Sequence, residues 1–269
     1  MKRGWFAIVS GSILGCAYGI PIGEAPPAAD DAGTTNTKLA SRGPEGIVPV
    51  DAAARDATPV DAAEASVEAG PDAGGSTWSS PTCDGVVIAA EYGGANHEMA
   101  TPTGQTWHVV WDANALYVAI EGANVGEALV LYVGHSGTGL SAGEAYDDTD
   151  VATLAFAADG VVYAKASYDE ARTPSGSAWV KTGTVTVCVS DGNATTREIV
   201  IPWTALGAKG LPPSFRWMGY LTSSSGYVYG QLPGSNPGKL VGLSACFNHD
   251  YFVQSTANGN GSFPFGDEE

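Results

Sequence analysis

From residue 81 onward, short runs of hydrophobic and β-branched residues alternate with clusters of Gly, Asn, Asp, Ser and Pro. Several of these runs alternate between apolar and polar residues with the period of two that is typical of strands. Helical periodicity is absent, apart from one predicted turn at 203–207. The pattern predicts ten strands, at residues 85–92, 106–111, 116–121, 127–133, 151–157, 160–167, 184–190, 196–201, 216–222 and 226–232.

The alternation inside these runs indicates two packed antiparallel sheets. Trp107, Val109 and Trp111 fall on one face of their strand. In the next strand, residues 116–120 are apolar on both faces, which predicts a strand that is buried on both sides. Asp159-Gly160 separates two apolar runs and predicts a hairpin turn. We therefore expect an all-β antiparallel sandwich of ten or more strands over residues 81–269.

The first sixteen residues have the pattern of a secretory signal. Met1-Lys2-Arg3 is followed by a mostly apolar run that is too short to span a bilayer. The sequence Ile13-Leu14-Gly15-Cys16 resembles the bacterial lipobox, in which the Cys thiol receives a diacylglycerol. This resemblance implies an exported lipoprotein, anchored to the outer membrane on its periplasmic or surface face. The alternative is an ordinary signal cleaved near Ala17, with Cys16 incidental.

Residues 17–80 have the composition of a disordered linker. The sequence Pro49-Val50-Asp51-Ala52-Ala53 recurs as Pro59-Val60-Asp61-Ala62-Ala63, and ten acidic residues accompany three basic ones. Such a segment offers too little apolar area to offset chain entropy of roughly 1–2 kcal/mol per residue. We expect a tether that holds the domain away from the membrane, and the alternative is a segment that folds on a partner.

Net charge narrows the choice of partners. The chain carries a formal charge of −17 and only 12 Lys and Arg residues, which form no block. Binding to nucleic acid needs clustered basic residues, so this class of partner is not expected. The remaining candidates are a carbohydrate or another protein of the cell envelope.

Three segments resemble DOMON-like domains and family 9 carbohydrate-binding modules. They are the strand-turn-strand sequence at 109–120, the strand at 128–133, and the segment 197–207, which is similar to a late "E-x-x-I-P" motif. This resemblance implies a sandwich that binds sugars, haem or other ligands. Neither Met99 nor Met218 is placed as an axial ligand, so haem is not expected. The matched pair of clamp tryptophans found in sugar-binding members is also missing.

Aromatic rings are the usual platform for a sugar, because the apolar face of a pyranose stacks on a flat ring. Trp179 follows a polar segment at 173–178 and is expected to be the most exposed of them. Tryptophans at strand spacing are also typical of a core, and this alternative stays open for each ring. The candidate ligand-binding residues are Trp179, Tyr146, Trp111, Trp107 and Trp217.

An acidic cluster at 144–150 follows the Gly-rich loop 134–143. Carboxylates and loop carbonyls are the ligands that Ca²⁺ prefers, which makes Asp147, Asp148 and Asp150 candidate calcium ligands. The spacing does not match an EF-hand loop. The alternative is a solvated acidic loop, and calcium is the one cofactor that the sequence suggests.

Cys83, Cys188 and Cys246 remain once Cys16 is lipidated. An oxidising compartment favours one disulfide among them, and three pairings are possible. Cys188 is expected to lie on an exposed strand face, where a free thiol would be reactive. We therefore expect Cys188 to be paired, with a preference for Cys246.

No catalytic motif stands out in the sequence. The four histidines are scattered, and neither metal-ligand spacing nor a G-x-S-x-G elbow is present. We therefore expect a lipid-anchored binding domain without enzymatic activity, with a glycan as the ligand. The alternative is a structural or adhesion-type module that contacts another envelope protein.

Overall fold

A computed structural model describes residues 79–94, 97–145, 152–190, 192, 194–223, 225–238, 246–255 and 266–269. All of them belong to one unit, which runs from Ser76 to Glu269. Cys16, residues 17–78 of the predicted tether, Tyr146 and the candidate calcium ligands Asp147, Asp148 and Asp150 lie outside the described residues. Predictions on those residues stay predictions.

Two antiparallel sheets and one separate strand pair form the domain, as the alternation predicts. The five-stranded sheet has the order β1 (Glu98–Ala100), β2 (Thr106–Trp111), β3 (Ala115–Glu121), β11 (Arg197–Pro202), β10 (Thr186–Cys188). The eight-stranded sheet has the order β15 (Asp267–Glu268), β14 (Tyr251–Gln254), β12 (Ser214–Thr222), β4 (Ala128–Gly134), β7 (Gly160–Lys165), β8 (Tyr168–Ser175), β9 (Ala178–Gly183). Its eighth strand, β13 (Val228–Leu232), lies outside this order and pairs with β12. The separate pair joins β5 (Leu140–Ala142) and β6 (Thr153–Ala158).

The main core lies between the two sheets. Trp107, Val109 and Trp111 point into it from β2, and they meet Trp217 and its neighbours on β12. The strand β3 contributes alternate residues to this core and to a second cluster on its outer side, as predicted. Burial of this apolar area is the main stabilising term of the fold. The prediction of an all-β sandwich is confirmed.

The outer face of the five-stranded sheet is covered by the N-terminal segment, residues 79–94. We expected a strand at 85–92, and this prediction is wrong, because Ala89–Tyr92 forms a short 3-10 helix. Glu198 fixes the segment: its carboxylate accepts the N–H groups of Asp84 and Gly85 at 2.9 and 2.7 Å and the Tyr92 hydroxyl at 2.9 Å. These three donors replace the water molecules that the carboxylate loses on burial. Glu198 can therefore be buried without a counter-ion.

The strand pair β5–β6 covers the outer face of the eight-stranded sheet. Leu154 and Phe156 of β6 pack there against Tyr132 and Tyr163 of the sheet. The predicted hairpin at Asp159-Gly160 is wrong, because β6 pairs with β5 while β7 pairs with β4 and β8. The chain therefore changes layer at this turn.

Arg197 ties the two sheets together. It lies on β11 of one sheet, is fully buried, and donates from Nη1 to Glu127 O at 2.5 Å and to Ala164 O at 3.0 Å. Its Nη2 donates to Asn124 O at 2.8 Å. Desolvation lowers the pKa of Arg197 to about 10, so that the guanidinium stays charged at neutral pH.

Cys83 and Cys188 form a disulfide with a Cα–Cα distance of 5.6 Å. The prediction that Cys188 is paired is confirmed, and the preference for Cys246 as its partner is wrong. The reason is the N-terminal segment, which crosses the outer face of the five-stranded sheet and reaches its edge strand β10. The bond therefore fastens the start of the domain to a strand 105 residues further along the chain.

Replacing both Cys83 and Cys188 with Ser is expected to lower the free energy of unfolding by about 2–5 kcal/mol, because the closed loop restricts the unfolded chain. Chemical denaturation followed by Trp fluorescence measures the change. Thr184→Ser, a conservative change at an exposed position nearby, is the matched control and should leave the midpoint unchanged. An unaltered midpoint in the double variant would show that the disulfide does not stabilise the domain.

Candidate functional site

Three of the predicted ligand-stacking rings lie in the core. Trp107 and Trp217 are 0% exposed and Trp111 is 1% exposed. Their rings contact other aromatic residues between the sheets, with Trp107 and Trp217 at a centroid distance of 6.4 Å. A ring without accessible surface offers no face to a sugar, so the prediction that these three residues bind a ligand is wrong.

Trp179 is also buried, contrary to the expectation that it is exposed. It is 8% exposed, packs edge-on against Tyr132 at 6.0 Å, and donates from Nε1 to Ala142 O at 3.0 Å. The ring thus holds the β5–β6 pair on the sheet. Within the described part of the chain, no three His, Cys, Asp or Glu side chains are grouped as a metal site. The calcium prediction concerns residues outside that part.

A cleft of about 350 Å³ opens on the outer face of the eight-stranded sheet, beside the end of β6. Its floor is a row of cross-strand partners, because Arg216 of β12 pairs with Gly134 of β4 on one side and with Phe252 of β14 on the other. Phe156 and its two neighbours on β6 form one wall. The size falls within the range of ligand pockets.

Gly134 has a steric role in the floor of this cleft. A Cβ atom at this position would lie 2.5 Å from Ala157 O and 2.7 Å from Cδ2 of Phe156. Only glycine therefore allows β6 to approach the end of β4 so closely. The Phe156 ring occupies the space that a side chain would fill, and it closes one side of the cleft.

His135 lies where this cleft meets a second concavity of about 530 Å³. The second concavity is lined by His135 and the loop 207–213, which precedes β12. The His135 side chain is 15% exposed, and its Nε2 lies 3.2 Å from Leu206 O, a contact that stabilises the tautomer protonated on Nε2. We call the two adjoining concavities the His135 groove.

Asp159 holds the loop that carries His135. Its Oδ2 accepts the N–H groups of His135 and Ser136 at 2.6 and 2.7 Å, and its Oδ1 accepts the Ser136 hydroxyl at 2.5 Å. Burial by itself raises the pKa of Asp159, but the hydrogen bonds from Ser136 and His135 outweigh it and lower the pKa below the ordinary 3.8. The turn that joins β6 to β7 therefore also positions the groove.

Arg216 is fixed by two acidic residues. Its Nη1 lies 3.1 and 3.0 Å from the two carboxylate oxygens of Asp250, and its Nη2 contacts Glu269. Burial raises the pKa of Asp250, although Arg216 opposes the shift. The guanidinium lies 5.5 Å from the centre of the Phe252 ring. The floor of the groove thus combines a positioned cation with an aromatic ring.

Ser136, His135 and Asp159 lie together but do not have the geometry of a nucleophile relay. The Ser136 hydroxyl donates to Asp159 directly, while the Nε2 of His135 is engaged by Leu206 O. A relay requires the histidine to contact the hydroxyl and the carboxylate to orient the histidine. The three residues instead shape the loop, and the groove is suited to hold polar ligands rather than to activate Ser136.

The sequence indicated only part of this groove. The Gly-rich loop 134–143 and the Asp159-Gly160 turn were both visible as turn signals. Arg216 and Phe252 carried no signal, because they are 36 residues apart and meet only through the pairing of β12 with β14. The row through Gly134 depends on the pairing of β12 with β4, in which Gly134 and Arg216 are 82 residues apart.

Comparison with protein-family models, curated proteins and solved structures finds no match to this chain. The resemblance to DOMON-like domains and family 9 modules therefore stays a prediction. Within the described residues, no helix has the length and apolar character needed to cross a membrane.

Asp159→Asn is expected to lower the free energy of unfolding at pH 7 by about 1–3 kcal/mol, because an amide cannot accept all three hydrogen bonds. The pKa of Asp159 is lower in the folded state than in the unfolded state, so its contribution is present above the unfolded pKa. It is lost as the pH falls through the folded value. The difference between wild type and variant should therefore shrink as the pH falls below the ordinary pKa of 3.8.

Denaturant titrations at several pH values measure this difference. Asp267→Asn, at an exposed position on β15, is the matched control and should follow the wild type at every pH. A difference for Asp159→Asn that stayed constant across the acid range would mean that its ionisation is not coupled to folding.

Proposed function

We propose that this chain is an exported, lipid-anchored domain that binds a glycan in the His135 groove without chemically altering it. The observation that carries the proposal is the floor of the groove, where Phe252 lies beside the fixed guanidinium of Arg216. A sugar presents an apolar ring face and a rim of hydroxyls. A side-chain ring beside a positioned donor matches both features.

The groove has the further properties that a polar, uncharged ligand requires. Its rim includes the exposed residue Gly137, and His135 lines both concavities, which we expect an elongated ligand to occupy together. Arg216 is already paired with two carboxylates, which reduces the attraction of this surface for polyanions. The net charge of −17 also disfavours the binding of polyanions.

Two observations support export and anchoring. The signal pattern that ends at Cys16 implies lipidation, and the disulfide between Cys83 and Cys188 is typical of oxidising compartments. The N-terminal segment covers the five-stranded sheet, whereas the groove opens on the outer face of the other sheet. A domain held by its N-terminus would thus offer the groove on the side opposite to its attachment.

Affinity electrophoresis in gels that contain laminarin, xylan, glucomannan or peptidoglycan tests the glycan proposal. Wild type should be retarded in at least one gel, and Phe252→Ala should weaken binding about tenfold or more, which is about 1.4 kcal/mol. Tyr168→Ala removes a ring that is 39% exposed on β8, away from the groove, and should bind as wild type does.

Two results would contradict the glycan proposal. One is the absence of retardation of wild type in all four gels. The other is equal retardation of wild type and Phe252→Ala, which would place the ligand outside the groove. Release of sugar from any of these polysaccharides would contradict the non-catalytic part of the proposal.

Metabolic labelling with a radioactive fatty acid in a bacterial host tests the anchor. Wild type should incorporate the label and fractionate with membranes, and Cys16→Ala should lose both properties because the acceptor thiol is gone. The double variant of Cys83 and Cys188 keeps Cys16 and should still be labelled. No labelling of wild type would favour ordinary secretion, and labelling of Cys16→Ala would show that Cys16 is not the lipidated residue.

A further inference from the structure

The two parts of the His135 groove differ in chemistry. The cleft contains the Phe252 ring and the guanidinium of Arg216, which suit the face and the hydroxyls of a sugar ring. The second concavity is lined by His135 and the loop 207–213, in which Lys209 is the one polar side chain among Gly, Ala, Leu and Pro residues. Such a surface favours a ligand group that is partly apolar, because a hydroxyl placed against it loses water without gaining a partner.

Hydrogen bonds hold the loop 207–213 at both ends. At its start, the N–H of Ala208 donates to Trp203 O at 3.0 Å. At its end, Pro213 O accepts the N–H of Ser255 at 3.1 Å. The second concavity therefore has a fixed wall in the free protein, which reduces the entropy that is lost when a ligand binds there.

The middle of the loop carries backbone amide groups that are free to bind a ligand. Lys209 and Gly210 both line the second concavity. Among the residues that the structure describes, none accepts their N–H groups and none donates to their C=O groups. The concavity thus combines hydrogen-bond donors, hydrogen-bond acceptors and apolar side chains, and a complementary ligand group contains all three.

We propose that the second concavity binds the acetamido group of an N-acetylhexosamine, an inference that rests on the proposed function of the groove. The N–H of Lys209 or Gly210 donates to the acetamido carbonyl, and the acetamido N–H donates to a C=O of the same loop. The methyl group packs against Leu211 and Pro213, which both line the concavity. The glycan that occupies the groove is therefore N-acetylated.

Other common substituents of a hexose match the second concavity less well. A hydroxyl at the same position has no apolar part to place against Leu211 and Pro213. A carboxylate would lose water to these side chains, and the one Lys or Arg that lines the concavity is the exposed Lys209, on a chain whose net charge is −17. An uncharged and partly apolar substituent is the best match.

Isothermal titration calorimetry with two β-1,4-linked oligosaccharides tests this inference on the full chain. The probes are chitohexaose and cellohexaose, which differ only in the acetamido groups that replace the hydroxyls at C2. We expect chitohexaose to bind wild type about tenfold more tightly than cellohexaose, because only chitohexaose fills the second concavity.

Gly210→Leu separates the second concavity from the cleft. Apart from the adjacent residues, the nearest heavy atom to a Cβ at Gly210 would be Ala113 O at 3.8 Å, which is ordinary van der Waals contact. Gly210→Leu should therefore unfold at the wild-type midpoint and reduce the space for an acetamido group. We expect this variant to bind chitohexaose about tenfold more weakly than wild type does, with little change for cellohexaose.

Gly210→Ala is the matched control for this variant. It makes the same change in the backbone without the bulk of leucine, and it should keep the preference for chitohexaose. Phe252→Ala should weaken the binding of both hexasaccharides, because the sugar ring that they share loses its platform in the cleft.

Two results would overturn the inference. One is equal binding of the two hexasaccharides to wild type, or tighter binding of cellohexaose. The other is a folded Gly210→Leu variant that keeps the full preference for chitohexaose. Failure of the proposed function is distinguishable from both. If neither hexasaccharide bound wild type, both proposals would fail, and if Phe252→Ala bound both as wild type does, the role of the cleft would be wrong.

Discussion

Two adjacent charged residues on β11 stabilise the domain, and their side chains point to opposite faces of the five-stranded sheet. Arg197 points inward and donates to carbonyls of β7 and of the segment that leads into β4, which joins the sheets. Glu198 points outward and binds the N-terminal segment through two backbone N–H groups. Both side chains are buried; Glu198 accepts three hydrogen bonds, and Arg197 donates through both Nη atoms while its Nε has no partner. Because strand residues alternate in direction, a single dipeptide connects the three layers on this side of the molecule.

Local sequence patterns predicted most of the long strands, but they did not predict which layer each strand joins. The alternation of β2 and β3 predicted their faces correctly, because a buried face leaves a period of two in the sequence. The strands β8 and β9 were not predicted, since Pro174 and the polar residues around Gly176 are typical of a loop. Proline is accommodated because its missing N–H falls at a pair that is not hydrogen-bonded. The error at Asp159-Gly160 has a similar origin, because a turn signal does not specify which strand is the next partner.

The candidate site was harder to predict than the fold. Tryptophans were expected to bind a ligand because of their chemistry, yet their large apolar area is the reason that Trp107 and Trp217 fill the core instead. The groove is built from phenylalanine, arginine and glycine, whose meeting depends on the pairing of β4, β12 and β14. Residues of ordinary type thus come together in a candidate site only through contacts between distant segments.

The disulfide between Cys83 and Cys188 also determines how the domain would respond to mechanical tension. The bond closes a covalent ring that contains strands β1 to β10, and it lies close to the first residue that the structure describes. A pull on the N-terminal side would pass through this bond directly to β10, instead of peeling away the strands enclosed by the ring. For a pull applied at the two ends of the chain, the ten strands inside the ring would be shielded from the load.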